Sequence, residues 1–120
     1  MITGTHAILY AEDPDRARAF CRDVLGLPHV DAGDGWLIFR APPAELAVHP
    51  TAADSSGRHE LYLMCDDVTA TVDDLTAKGV RFTSPVTDRG FGLMTTLEVP
   101  GAGELGLYEP RHPTAYDLDG

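Results

Sequence analysis

The chain has 120 residues, 43% of them hydrophobic and 23% charged, which suits one packed core and excludes a disordered or fibrous class. Nineteen acidic against nine basic residues give a formal charge of −10, so the basic face that nucleic acid or an anionic membrane would need is missing. Met1–Thr5 has neither a basic start nor a long apolar run, and Cys21 and Cys65 stand 44 positions apart with no CxxC pair; a cytoplasmic protein with reduced thiols and no membrane span is expected.

In chain order, Thr5–Tyr10 alternates as a strand does, and Asp13-Pro14 then supplies an N-cap with proline at the first helical position. Ala17, Phe20, Cys21 and Val24 recur at helical spacing until Gly26. Short β-rich pieces follow at Pro28–Val30, at Trp36–Phe39 after the Gly33-Asp34-Gly35 turn, and at Glu45–His49. Pro50–Arg58, rich in Ala, Ser, Asp and Gly, reads as a linker. The pattern then returns: a strand at Glu60–Cys65, the cap Asp66-Asp67, and a helix with Val68, Val72 and Leu75 on one face that closes at Lys78-Gly79. Strands at Val80–Phe82, Leu93–Val99 and Glu104–Tyr108 complete it, and the tail from Pro110 carries no further element.

The order βαβββ therefore occurs twice. The fold expected is α+β: two βαβββ modules forming one curved, cup-shaped mixed sheet with the helices outside. Module 1 covers about 4–50, the linker 51–58, module 2 about 59–110 and the tail 111–120, within one domain over 1–120. The opening strands match at an offset of 54, pairing His6 with Glu60, and the closing strands at an offset of 59, pairing Glu45 with Glu104, Ala47 with Gly106 and His49 with Tyr108.

Alternation puts His6, Ile8 and Tyr10 on one face, together with Glu45, Ala47 and His49, then Glu60, Tyr62 and Met64, then Glu104, Gly106 and Tyr108. The opposite faces are apolar and suit packing under the helices. Polar and small side chains thus converge on the concave side, where Ala47 and Gly106 leave room and Tyr10, Trp36, Phe39, Tyr62, Phe91 and Tyr108 offer flat walls. Asp13, Asp66 and Asp67 read as helix caps, Glu98 and Glu109 point away from the cup, and His29 and His112 lie in loops without a role.

Paired βαβββ modules with His6 on the first strand, Asp13-Pro14 through Val24-Leu25-Gly26, Cys65-Asp66-Asp67-Val68 and the closing Glu104–Pro110 run resemble the vicinal oxygen chelate (glyoxalase/bleomycin-resistance/extradiol dioxygenase) superfamily over nearly the whole chain. The resemblance implies a U-shaped sheet with metal ligands on the first and last strand of each module, and a homodimer. His6 fits the first ligand position. Glu60 stands where the family usually has histidine, and Gly106 where it has a glutamate.

Two functional classes follow. In the first, His6, His49 and Glu60, with Glu45 adding an oxygen, hold one divalent metal (Fe, Mn, Ni or Zn) for a lyase, isomerase or dioxygenase, with Glu60 or Glu104 moving the proton. In the second no metal is bound, and the cup sequesters an antibiotic or other natural product.

Overall fold

Both helices form where their caps place them. Helix α1 (Pro14–Asp23) begins with Asp13, whose carboxylate accepts from the Arg16 amide at 3.3 Å. Helix α2 (Val68–Ala77) begins with Asp67, which accepts from the Ala70 amide at 3.0 Å. A second acceptor reaches the same helix end, since Glu109 Oε1 takes the Val68 N–H at 3.1 Å. A carboxylate facing exposed amides and a positive dipole end stabilises such a start. The structure, a computed structural model, describes residues 6–118; Gly4 and Thr5 of the first module and Asp119 and Gly120 of the tail lie outside the described residues.

The α+β architecture is the one expected. Strands β1 (His29–Asp31) and β2 (Leu37–Phe39) make an antiparallel pair with Val30 opposite Ile38. Strands β3 (Tyr62–Met64), β4 (Thr87–Asp88), β5 (Gly92–Val99) and β6 (Gly103–Pro110) make a mixed sheet in the order β3-β6-β5-β4. β3 runs parallel to β6 with Tyr62 beside Gly106, and β5 runs antiparallel to β6 with Thr96 beside Gly106.

One face of this sheet is the core. Leu97, Val99, Leu105 and Leu107 are buried together with Val68 and Leu75 of α2, Ala17 and Phe20 of α1, and Val80. Burying each large side chain of this kind contributes about 1.5–3 kcal/mol. Thr95 is the one buried polar residue among those described, and its hydroxyl donates to the Ser84 carbonyl at 2.7 Å. A backbone hydrogen bond also joins the start of the first-half helix to the β5–β6 turn: the Asp13 N–H donates to the Gly101 carbonyl at 2.9 Å. A Cβ at Gly101 would stand 2.5 Å from the Asp13 carbonyl oxygen, so only glycine permits the contact.

Three expected strands are corrected. His6–Tyr10 and Glu45–His49 belong to no strand; a strand exists only with a hydrogen-bonded neighbour, and among the described residues neither segment has one. Pro42, Pro43 and Pro50 also remove amide donors around the second segment. Val80–Phe82 contributes a single bridge, Phe82 to Leu97, while β4 forms where no strand was expected.

Candidate functional site

The sheet face opposite the helices carries the candidate site. Register puts Tyr62 and Met64 of β3, Glu104, Gly106 and Tyr108 of β6, and Met94, Thr96 and Glu98 of β5 on that face. Glu98 is therefore corrected: it sits opposite Glu104 on the open face, where Arg81 pairs with it at 3.6 Å. Glu109 points to the helix side, as the alternation predicts.

Gly106 does not leave a hole. The Tyr62 ring lies across it, so that a Cβ at position 106 would overlap the ring carbons. An aromatic side chain thus occupies the space its neighbour vacates. From this ring an aromatic cluster extends. Tyr62 meets Tyr108 edge-to-face at 5.8 Å, Tyr108 meets Phe91 at 6.4 Å, and Phe91 meets His49 at 6.0 Å. His112, four residues beyond Tyr108, lies 6.1 Å from the Tyr108 ring. Such pairs add to simple area burial and fix ring orientations. Phe91 remains 43% exposed, which leaves this apolar surface open to a ligand. Beside it, Thr96 shares hydroxyl hydrogen bonds with Thr83 at 2.6 Å and Ser84 at 2.8 Å.

Each tyrosine is tied to a carboxylate. Tyr62 Oη donates to Glu60 Oε2 at 2.6 Å, and the other Glu60 oxygen pairs with Arg58 at 2.9 Å. Tyr108 Oη donates to Glu45 Oε1 at 3.2 Å, and Glu45 Oε2 accepts the Ala115 N–H at 2.8 Å. The hydrogen bond to Glu60, then partial burial, push the Tyr62 hydroxyl pKa above the usual phenol value. Partial burial, then the Glu45 charge, push Tyr108 in the same direction.

Of the residues singled out from sequence, Glu45, His49, Glu60, Tyr62, Phe91, Gly106 and Tyr108 are brought into this one neighbourhood. Glu104 is exposed at the start of β6. His6, Tyr10 and Ala47 are exposed, and His6 makes no hydrogen bond or ion pair among the described residues. Trp36 lies elsewhere, under the Arg18 guanidinium at 4.7 Å, and Phe39 packs against the His29 ring at 5.7 Å. Sequence reasoning did not reach the tail partners His112 and Ala115. A backbone amide has no side-chain signature, and a lone histidine between prolines carries little.

The residues do not fit a metal as they stand. Among the described residues no group of three or more His, Cys, Asp or Glu side chains is placed to hold an ion, and Glu45 and Glu60 each have both oxygens engaged by protein donors or a cation. A cleft of about 150 Å³ between α1 and the start of the α2–β4 connection is lined by Phe20, Val24, Val80, Arg81 and Glu98 and by none of the ring residues of the aromatic cluster.

A family model described as the glyoxalase/bleomycin resistance protein/dioxygenase superfamily matches residues 5–113. No curated protein matches. Among solved structures, the chain resembles TnmS3, an antibiotic binding protein from Streptomyces sp. CB03234, with 23% identity, a TM-score of 0.61 and coverage of 92% of this chain and 99% of that one. It also resembles lactoylglutathione lyase from Agrobacterium tumefaciens, with 22% identity, a TM-score of 0.60 and coverage of 89% and 96%. A superfamily member from Sphaerobacter thermophilus DSM 20745 gives 22% identity, a TM-score of 0.61 and coverage of 90% and 98%. At these identities the likeness concerns the fold.

Proposed function

Because the chain belongs to the glyoxalase/bleomycin resistance protein/dioxygenase superfamily, we propose that it binds a flat, aromatic small molecule against the open sheet face and sequesters it without chemistry. One observation carries this reading: Tyr62, Tyr108 and Phe91 form a continuous ring surface that remains partly exposed. Exposed aromatic area with oriented hydroxyls at its margin suits stacking of a planar ligand, with Thr96 and the tyrosine hydroxyls setting its orientation. The carboxylates at Glu45, Glu60, Glu98 and Glu104, in a chain of charge −10, favour a neutral or cationic ligand over an anionic one.

Calorimetric titration of untagged protein with bleomycin and other aromatic antibiotics, before and after chelator treatment, tests the proposal. Saturable binding that survives the chelator is expected; heat only from metal-loaded protein, or none across the panel, would reject it. The metal-dependent lyase, isomerase or dioxygenase is the second reading, favoured by the gathering of His49, Glu45 and Glu60 around the same rings. It requires the two carboxylates to leave their present partners, and near-stoichiometric transition metal in purified protein that His6→Ala removes.

We further propose that the single domain acts in the cytoplasm as a homodimer. Ile8, Tyr10, Leu46 and Val48 are 63–92% exposed on the two unpaired segments. The chain exposes 8987 Å², whereas a compact chain of this mass exposes about 6,300 Å². The excess of roughly 2,700 Å² is well above the ~800 Å² that each partner of an ordinary interface buries. Its radius of gyration of 15.3 Å likewise exceeds the about 14 Å of a compact domain this long.

A further inference from the structure

The tail after β6 has a defined seat. Two stretches far apart in sequence meet at one carboxylate: Glu45 of the first module accepts from Tyr108 Oη on the closing strand at 3.2 Å and from the Ala115 backbone amide of the tail that follows it at 2.8 Å. The Glu45 side chain is only 15% exposed, and that of His112 32%. His112 reaches Tyr108 Oη at 3.3 Å through Nε2, lies 3.7 Å from Glu45 Oε1 through the same atom, and contacts the Pro113 carbonyl at 2.8 Å through Nδ1. The Arg111 amide donates to the Phe91 carbonyl at 2.8 Å, so the tail is anchored to the aromatic cluster before it reaches Glu45. The seat therefore has a start, at Phe91, and an end, at Ala115.

From this geometry we infer that residues 111–115 are a strap forming one wall of the candidate ligand site, and that Glu45 is the positioning residue that holds it shut. The physical reason lies in the allocation of lone pairs. A carboxylate with one oxygen on a phenol and the other on a backbone amide is fixed at both ends, and hydrogen bonds to an ionised acceptor are the stronger kind. The strap brings the His112 ring against Tyr108 as a further flat wall beside Tyr62 and Phe91, so the tail sets how thick a ligand the rings admit. That last consequence rests on the reading of the rings as a ligand surface; the strap itself does not.

The test uses the full chain without ligand. Arg111 is exposed, and trypsin cleavage after it releases residues 112–120. Glu45→Ala removes both acceptors, and cleavage should accelerate about tenfold or more, the worth of one lost charge-assisted hydrogen bond. Hydrogen exchange at the Ala115 amide should accelerate in parallel. Glu45→Gln keeps an acceptor for Ala115 and a polar partner for Tyr108, and should retain most of the protection. Ala115→Pro removes the donor without touching Glu45, and should free the tail even if Glu45→Ala were to misfold. Cleavage unchanged in both Glu45→Ala and Ala115→Pro, with Ala115 exchange unchanged in Glu45→Ala, would overturn the strap. A separate arm titrates bleomycin into wild type and into a chain ending at Arg111. An altered affinity places the strap at the ligand site. Unaltered affinity overturns its role as a wall, and no binding to either chain counts against the ligand reading while the protease result still stands for the strap.

Discussion

Substitution of Gly106 by alanine examines the central feature of the open sheet face. A methyl group at this position must displace the Tyr62 ring, because the ring carbons occupy the space of the Cβ. Over-packing of this kind costs about 1–3 kcal/mol. Displacing the ring also sacrifices its edge-to-face contact with Tyr108, worth about 0.5–1.5 kcal/mol, and weakens its hydrogen bond to Glu60, worth about 1 kcal/mol. Alanine recovers about 0.5–1 kcal/mol of backbone entropy relative to glycine in a strand. The balance is a destabilisation of roughly 1.5–5 kcal/mol, which for a chain of this length lowers Tm by about 6–20 °C. Thermal unfolding followed by circular dichroism measures it. The double variant Gly106→Ala/Tyr62→Ala should be no less stable than Tyr62→Ala alone, because the clash disappears with the ring. A Gly106→Ala protein as stable as wild type, or penalties that simply add in the double variant, would refute the ring-over-glycine arrangement.

Leu97→Ala empties a fully buried position and should cost about 2–5 kcal/mol by chemical denaturation. Tyr62 and Tyr108 both have pKa values raised in the folded chain. Their contribution is therefore complete below the unfolded phenol value near 10 and is lost as pH rises through the folded values; alkaline denaturation should flatten in Tyr62→Phe and Tyr108→Phe, and an unchanged alkaline limb in both would contradict those environments. Leu46→Arg with Val48→Lys places charge on residues more than 90% exposed in the single chain. Light scattering should give 12.9 kDa for that variant and twice this mass for wild type, at equal helix content; a wild-type monomer at micromolar concentration would sink the dimer.

Much of the fold was legible because it rests on local chemistry. Asp13-Pro14 and Asp67 cap helices by side-chain hydrogen bonds three residues away, and the apolar alternation of Leu105 and Leu107 marks the helix-facing side of a strand without reference to the rest of the chain. Within the second half Tyr62 lies beside Gly106, and Glu45 approaches the closing strand through Tyr108. What the sequence did not reveal depends on partners. His6–Tyr10 and Glu45–His49 have the alternation of strands and no ladder to join, and no pattern in a strand states who pairs with it. Trp36 follows a turn, yet the residue that claims its face, Arg18, comes from a helix eighteen positions earlier. Glu98 turned out on the open face because the register across β5 and β6, and not alternation counted from a guessed strand start, decides the face. Gly106 signals room when read alone, and only the Tyr62 ring above it shows how the room is used.

The most direct test of the ligand surface is NMR of protein labelled in tyrosine and phenylalanine during titration with an aromatic antibiotic such as bleomycin. Resonances of Tyr62, Tyr108 and Phe91 should shift together and saturate at one common concentration, while Phe20 on the helix side stays in place. Shifts confined to Phe20, or no response of the three rings across a panel of aromatic antibiotics, would contradict the assignment of this face as the binding site.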